Sequence, residues 1–395
     1  MHDAPLHILF ISSWFPNHNN PSSGDFVLRH AQAASLSCKV SCLHVEYDPF
    51  VQDKVVAEIT KSSRLNQYMF YYSVSPFAAL LGPVVKFWRR YSIYKKGLIK
   101  IQKEQGKIDV IHANITFSVS IIAWLLNLQY GIPYVISEHW TGFITGVVKK
   151  KNVLHTLAAR LAVAKASALL PVTQQLGENM KRNGFVNTMY VIPNVVDTTL
   201  FFPGNNASRQ KKHILHVSNL RDQHKNISGI LRVIKKLSLQ RDDFILTIIG
   251  SLGLAYTQRL ILQMNIPQGM IRLMGFMSNA EVSIYMRDAD FFVLFSNYEN
   301  QPCVILEALA CGIPVISTRT GSIPEVINQK NGILVDEGNE VQLFDAIVYM
   351  LDHHTEYEKK SLYSYATEHF SYEKVSEKLK QIYTTVVAKK SVPVL

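Results

Sequence analysis

Twice along this chain a run of short apolar segments alternates with longer stretches of helical period, and this doubled alternation limits the fold more than any other feature. The first set is Ile8 to Ile11, Val40 to Val45, Val110 to His112, Tyr134 to Ser137, Ala168 to Val172 and Tyr190 to Ile192. After the breaker-rich segment Pro203-Gly204-Asn205-Asn206-Ala207-Ser208 the pattern restarts with Ile214 to Val217, Ile245 to Ile249, Ile271 to Met274, Phe291 to Phe295, Pro314 to Ser317 and Gly332 to Val335. Segments apolar on both faces belong to parallel sheets covered by helices on either side. A chain of 395 residues exceeds the size of one hydrophobic core. We therefore expect two doubly wound α/β domains, 1–195 and 196–370. From Val341 onward the period is helical, and Val375, Leu379, Ile382 and Tyr383 form a stripe that predicts a last helix, within 371–395, folding back on the first domain.

The stretch from Phe295 to Ser317 reads as strand, loop, helix, turn, strand. Pro302 suits the first position of a helix and Gly312 its C-terminal turn, which predicts a helix over 302–311. Its amino end would lie beyond the carboxyl end of a sheet strand, where unpaired N–H groups attract phosphate. Glu299 falls in the loop before that end and Glu307 about a turn and a half inside the helix, so the two acids would flank a bound diphosphate. A carboxylate accepts two hydrogen bonds at the spacing of a vicinal diol, so each acid can grip one sugar ring.

Glu299 and Glu307, followed by Ala308-Leu309-Ala310-Cys311-Gly312-Ile313-Pro314-Val315, resemble the EX7E signature of family 4 retaining glycosyltransferases, of the kind that builds bacterial cell-surface polysaccharide. The likeness continues through Thr320-Gly321-Ser322-Ile323-Pro324-Glu325-Val326-Ile327 and Asn331-Gly332-Ile333-Leu334-Val335. It also takes in the linking segment Val191-Ile192-Pro193-Asn194-Val195-Val196-Asp197, with Val195 where glycine is common. The resemblance implies the GT-B fold, two Rossmann-like domains facing across a cleft. It further implies that Glu299 contacts the transferred sugar and Glu307 the nucleotide ribose.

In Ser137-Glu138-His139-Trp140, His139 resembles the family's cleft histidine. Gly24, in Pro21-Ser22-Ser23-Gly24-Asp25-Phe26, stands where the family has a glycine loop near the transfer point. Relatives carry a phosphate clamp usually written GRLxxxKG; here Ser218-Asn219-Leu220-Arg221-Asp222-Gln223-His224-Lys225 has asparagine in the arginine slot and one extra residue. Lys225 is the expected cation and Arg221 a substitute for the second. Asn300, Gln301, Cys303 and Val304 are expected at the donor, and Gly275 and Phe276 either line the base pocket or pack in the core. The same resemblance implies same-face attack with no cofactor and no metal, and no Asp-x-Asp of the metal-dependent kind is recognised.

Composition sets further bounds. Apolar residues make up 48% and charged residues 18%, a globular balance. Cys38, Cys42, Cys303 and Cys311 show neither disulfide nor zinc spacing, which fits a cytoplasmic chain, and Cys303 and Cys311 read as packing residues. Neither a signal peptide nor a run of about 18 apolar residues is expected to direct the chain out of the cytoplasm or through a membrane. Of the net +11, +9 lies in the first 200 residues, which hold 20 Lys and Arg against 11 Asp and Glu.

The densest basic run, Phe87-Trp88-Arg89-Arg90-Tyr91-Ser92-Ile93-Tyr94-Lys95-Lys96, follows apolar Phe77 to Val85. It reads as a helix face with aromatics packed inward, as an anionic membrane contact at the inner face, or as a nucleic-acid contact. The expected partners are a nucleotide-sugar donor and a saccharide or lipid-linked acceptor, without nucleic acid. Two other readings stay open: a glycoside hydrolase using Glu299 and Glu307, and a non-catalytic protein that binds a sugar nucleotide or a polyanion.

Overall fold

The computed structural model describes residues 5–20, 23–51, 55–73, 82–204 and 209–391. Pro21, Ser22, the segment 74–81 that holds Phe77 to Leu81, and Asn205 to Ser208 lie outside them. The chain divides into two compact units, Met1–Asn194 with Tyr372–Leu395, and Val195–Ser371.

The first unit is built on a seven-stranded sheet: β1 (His7–Ser12), β2 (Lys39–Tyr47), β3 (Val55–Thr60), β4 (Leu65–Tyr72), β5 (Val110–Asn114), β6 (Tyr134–Glu138) and β7 (Ala168–Pro171), in the order β3-β4-β2-β1-β5-β6-β7. All neighbours are parallel except β3 and β4, with Ile8 opposite both Val40 and Val110. The sequence pattern had not marked β3 or β4. Every residue of β3 is exposed, as an edge strand allows, and its apolar start Val55-Val56-Ala57 is cut short by Glu58, so it does not read as a buried strand.

The expected strand Tyr190 to Ile192 does not form. Met189 makes a single parallel bridge to Leu169, and beyond it only the N–H groups of Tyr190 and Ile192 reach β7, donating to the carbonyls of Leu169 (3.0 Å) and Pro171 (3.1 Å). Within the first unit the last helix, Tyr372–Ser391, packs against the helix Asp25–Ser35 and closes on β5. Its Val375, Leu379 and Tyr383 are fully buried, and Tyr383 Oη meets His112 Nδ1 at 2.6 Å. Burying Val375 and Leu379 contributes about 1.5–3 kcal/mol each.

The second unit holds a fully parallel six-stranded sheet: β8 (Lys212–Val217), β9 (Phe244–Ile249), β10 (Ile271–Met274), β11 (Phe291–Leu294), β12 (Val315–Thr318) and β13 (Gly332–Val335), ordered β10-β9-β8-β11-β12-β13. Two apolar clusters cover its faces, one centred on the helix Cys303–Ala310 and the other on the helix Ile227–Leu237. The strand sequence turns back between β8 and β11, and in the first unit between β1 and β5. At such a reversal the loops leaving the carboxyl ends of neighbouring strands diverge to opposite faces and leave a crevice, the place where open α/β sheets bind ligands.

Candidate active site

At the crevice of the second unit the structure joins two segments that are 74 positions apart in sequence. Lys225, at the end of a one-turn helix (Asp222–Lys225) after β8, donates through Nζ to Oε1 of Glu299, in the loop after β11. Ser296 Oγ donates to the same oxygen at 2.8 Å. Glu299 is 7% exposed and Glu307 3%, so both acids are buried polar groups.

The Glu299 loop is anchored on both sides. Asn297 N–H donates to His224 O (2.9 Å), while Thr318 Oγ1 and Thr320 Oγ1 donate to the carbonyls of Ser296 (2.7 Å) and Asn297 (3.0 Å). Gly321 closes the arrangement. It has φ +52, and a Cβ there would lie 1.8 Å from the carbonyl oxygen of Glu299. Opposite, Leu220 adopts φ +56 while fully buried, a conformation that costs a leucine about 1–2 kcal/mol and turns the chain toward Lys225.

The helix after Glu299 runs Cys303–Ala310, one residue shorter at each end than expected. Pro302 is the cap, with ψ 121, because its ring holds φ while the residue stays extended; Gly312 follows Cys311 with φ +69. The first-turn N–H groups of any helix lack intrahelical acceptors, and this helix starts from the loop that leaves the carboxyl end of β11.

Asn300 and Gln301 are buried beside the helix start, and Cys303 and Val304 are half-buried in its first turn. Arg221 is exposed, with its charge near His224 and Tyr298. Phe276 is 66% exposed and Gly275 has open space where a side chain would be, so the core-packing reading of this pair does not hold.

One Asp-x-Asp pair is present after all, Asp288-Ala289-Asp290, at the amino end of β11. Asp288 is engaged by Arg209 and His213, and Asp290 by His354 and the backbone N–H of His213. Among the described residues no group of three or more His, Cys, Asp or Glu converges as a metal site would.

In the first unit the corresponding strand ends carry Gly24 and His139. Gly24, with φ +66, caps the helix Asp25–Ser35, and a Cβ there would stand 2.4 Å from Trp14 O, so the backbone approach alone demands glycine. His139 donates from Nδ1 to Asn194 Oδ1 at 3.1 Å, which leaves Nε2 as an acceptor. Its ring lies 4.5 Å from Phe26 and 5.1 Å from His30, centroid to centroid. Burial, reinforced by His30, holds it well below the usual imidazole range, so it is neutral at pH 7.

Glu138, fully buried, orients this loop by accepting from the backbone N–H groups of Thr116, His139 and Trp140. Sequence reading named neither Glu138 nor Ser296 as functional. The available signal was an acid or hydroxyl closing a buried strand, which by itself does not say whether the group faces a ligand or the backbone.

The buried imidazoles make stability depend on pH. Burial pushes His30, in the first unit, and His216, under Lys225 in the second, down to about 4. The unfolded chain takes up these protons near 6.5 and the folded chain only near 4. Stability is therefore full above about pH 6.5 and falls as pH drops through the window, by about 1.4 kcal/mol per pH unit for each group. Unfolding midpoints should be level from pH 7.5 to about 6.5 and then fall steadily to 4.5; a flat profile between 6.5 and 4.5 would show that these rings are protonated in the folded state.

With two Rossmann-like parallel sheets, this is the GT-B architecture of nucleotide-sugar enzymes. The family model "Glycosyltransferase Family 4" matches residues 32–200 and "Glycosyl transferases group 1" matches 197–369; the chain is a family 4 glycosyltransferase. It is 25% identical over 305 residues to the N-acetyl-alpha-D-glucosaminyl L-malate synthase of Bacillus anthracis, covering 72% of this chain and 76% of that one. The sucrose-phosphate synthase of Thermosynechococcus elongatus superposes with a TM-score of 0.76 at 19% identity over 97% of this chain and 100% of its own. HepE of Anabaena, solved in complex with UDP, gives 0.71 at 15% identity over 96% and 100%.

Proposed function

We propose that the enzyme is a retaining transferase that moves a sugar from a nucleoside-diphosphate sugar to a saccharide or lipid-linked saccharide, in the making of cell-surface polysaccharide. The observation that carries this reading is the meeting of Lys225 and Glu299 where the strand order of the second unit reverses, beside the amino end of Cys303–Ala310. In the reaction the bond from the sugar C1 to the diphosphate oxygen breaks and the acceptor oxygen bonds C1 on the same face. The acceptor proton passes to the departing phosphate.

Lys225 and the helix N–H groups would neutralise the charge that grows on the leaving diphosphate, in the place a metal takes elsewhere, with Arg221 adding a second cation from solvent. Such stabilisation strengthens as charge develops and so lowers the barrier. Glu299 would hold hydroxyls of the transferred sugar and Glu307 those of the ribose. Asn300, Gln301, Cys303 and Val304 would contact the donor around the helix start, and Gly275 with Phe276 would border the base. In the first unit, neutral His139 would accept a hydrogen bond from a sugar hydroxyl at Nε2, with Gly24 in the neighbouring loop. UDP in the HepE complex supports a uridine donor among those to test. The reading places the enzyme in the cytoplasm, with any lipid-linked acceptor met at an anionic membrane face.

The test is a panel of UDP-, GDP- and ADP-sugars scored first by thermal shift. A ligand at 100 times its Kd stabilises the fold by about 2.7 kcal/mol. The donor so found should release nucleoside diphosphate only when acceptor is added, and Glu307→Gln should raise its KM about ten-fold or more. Cleavage of plain oligosaccharides without nucleotide would replace this reading with the hydrolase, and nucleotide binding without turnover would favour the non-catalytic one.

A further inference from the structure

The structure assigns a membrane-docking surface to the first unit, centred not on the run Phe87–Lys96 but on the helix Val153–Lys165 and the basic turn before it. On that helix Val153, Leu154, Leu157 and Leu161 are 71%, 77%, 47% and 52% exposed. At 3.6 residues per turn these four fall within an arc of about 100°. The opposite side carries Ala159, Ala162 and Val163, all buried, so the helix is held by small residues and turns its large ones to water. Scattered single apolar side chains at a surface are ordinary, whereas a valine and three leucines aligned on one helix face mark a contact.

Charge complementarity identifies what it meets. No Asp or Glu occurs between Glu138 and Glu178, while Lys149, Lys150, Lys151, Arg160 and Lys165 do. Lys149, Lys150 and Lys151 are exposed at the end of the turn Val147–Lys150, where Val147 also faces solvent. Beside the stripe, Lys149, Lys151 and Arg160 line a cavity of about 280 Å³, suited to an anionic headgroup. Arg160 is fixed there by donating from Nε and Nη2 to Asn183 O, at 3.1 and 2.7 Å. An apolar stripe edged by unopposed lysines is the pattern of a helix lying in the interface of an anionic bilayer. A nucleic-acid surface would account for the lysines and leave the leucines without a role.

The helix Gly82–Gln105 is less suited. Its Phe87 and Tyr91 pack against the core, Arg90 stacks over Tyr94 at 5.6 Å, and Lys100 is paired with Glu104, which leaves Val84, Trp88 and Ile99 as its exposed apolar side chains. This inference concerns a different surface from the catalytic reading and stands independently of it.

The experiment is co-sedimentation of the full chain with vesicles of mixed phosphatidylglycerol and phosphatidylcholine, and with phosphatidylcholine alone. The wild-type chain is expected on the anionic vesicles. Replacing Lys149, Lys150 and Lys151 together by Ala should weaken partitioning on the order of a hundred-fold, about five-fold per cation. Leu154→Ser with Leu157→Ser should weaken it at least ten-fold while leaving the fold intact, since neither side chain belongs to the buried core. Replacing Arg89, Arg90, Lys95 and Lys96 should do less than the lysine triple. The proposal is overturned if the leucine double variant binds like wild type, if the Arg89 set abolishes binding while the lysine triple keeps it, or if the chain ignores anionic vesicles and instead binds duplex DNA with the leucines irrelevant.

Discussion

Lys225→Ala is expected to lower kcat by about 10²–10³-fold while changing the KM for donor much less, because in the proposed mechanism its charge is needed most when the diphosphate departs. The ion pair with Glu299 also gives the variant a structural cost. Glu299 is left buried with one hydrogen-bond donor recorded in place of two, since Ser296 Oγ remains at 2.8 Å. That loss is about 1–3 kcal/mol, which the rest of the unit can absorb. Thermal unfolding and single-turnover release of nucleoside diphosphate, measured on the same preparation, separate the two effects. Turnover within ten-fold of wild type would remove Lys225 from the chemistry and leave it as a counter-ion for Glu299. Arg221→Ala, at an exposed position, should cost less in both measurements.

Gly321→Ala is the second large effect, and it acts without touching any proposed ligand contact. A left-handed φ of +52 disfavours alanine, and its Cβ would sit 1.8 Å from Glu299 O, so the Glu299 backbone must move. The expected loss of stability is about 2–4 kcal/mol. Displacing a sugar-gripping group by about 1 Å costs on the order of 10²-fold in rate. If the variant unfolds at a lower temperature yet turns over as fast as wild type, Glu299 does not need its position and the assigned role is wrong.

Much of this architecture was legible beforehand. Runs such as Phe291 to Phe295 and Ile8 to Ile11 are apolar at every position because both faces of their sheets are covered, so they stand out in sequence as they do in space. The exposed strand Val55–Thr60 escaped notice because no burial at the sheet edge demands a long apolar run, and Glu58 breaks the one that Val55-Val56-Ala57 begins. Tyr190 to Ile192 looked like a strand and follows the edge of β7 with only two N–H groups donated to it, too few to make a strand. At Pro302 the residue type marked the helix start to within one position, because φ of proline suits both cap and first turn and only ψ tells them apart.

What the amino acids determined alone is the doubly repeated alternation, and with it two parallel sheets, together with the spacing that puts Glu307 eight positions after Glu299 on a helix entered through proline. These are local properties, set by backbone preference and by which side chains avoid water. Tertiary structure decided the rest: that Lys225 meets Glu299 across 74 residues, that Ser296, Thr318, Thr320 and Gly321 hold that acid in place, and that the leucines of Val153–Lys165 face outward although their composition suits a core. Such pairings depend on strand order and on which helix face finds a neighbour, and neither is encoded within the reach of a few consecutive residues.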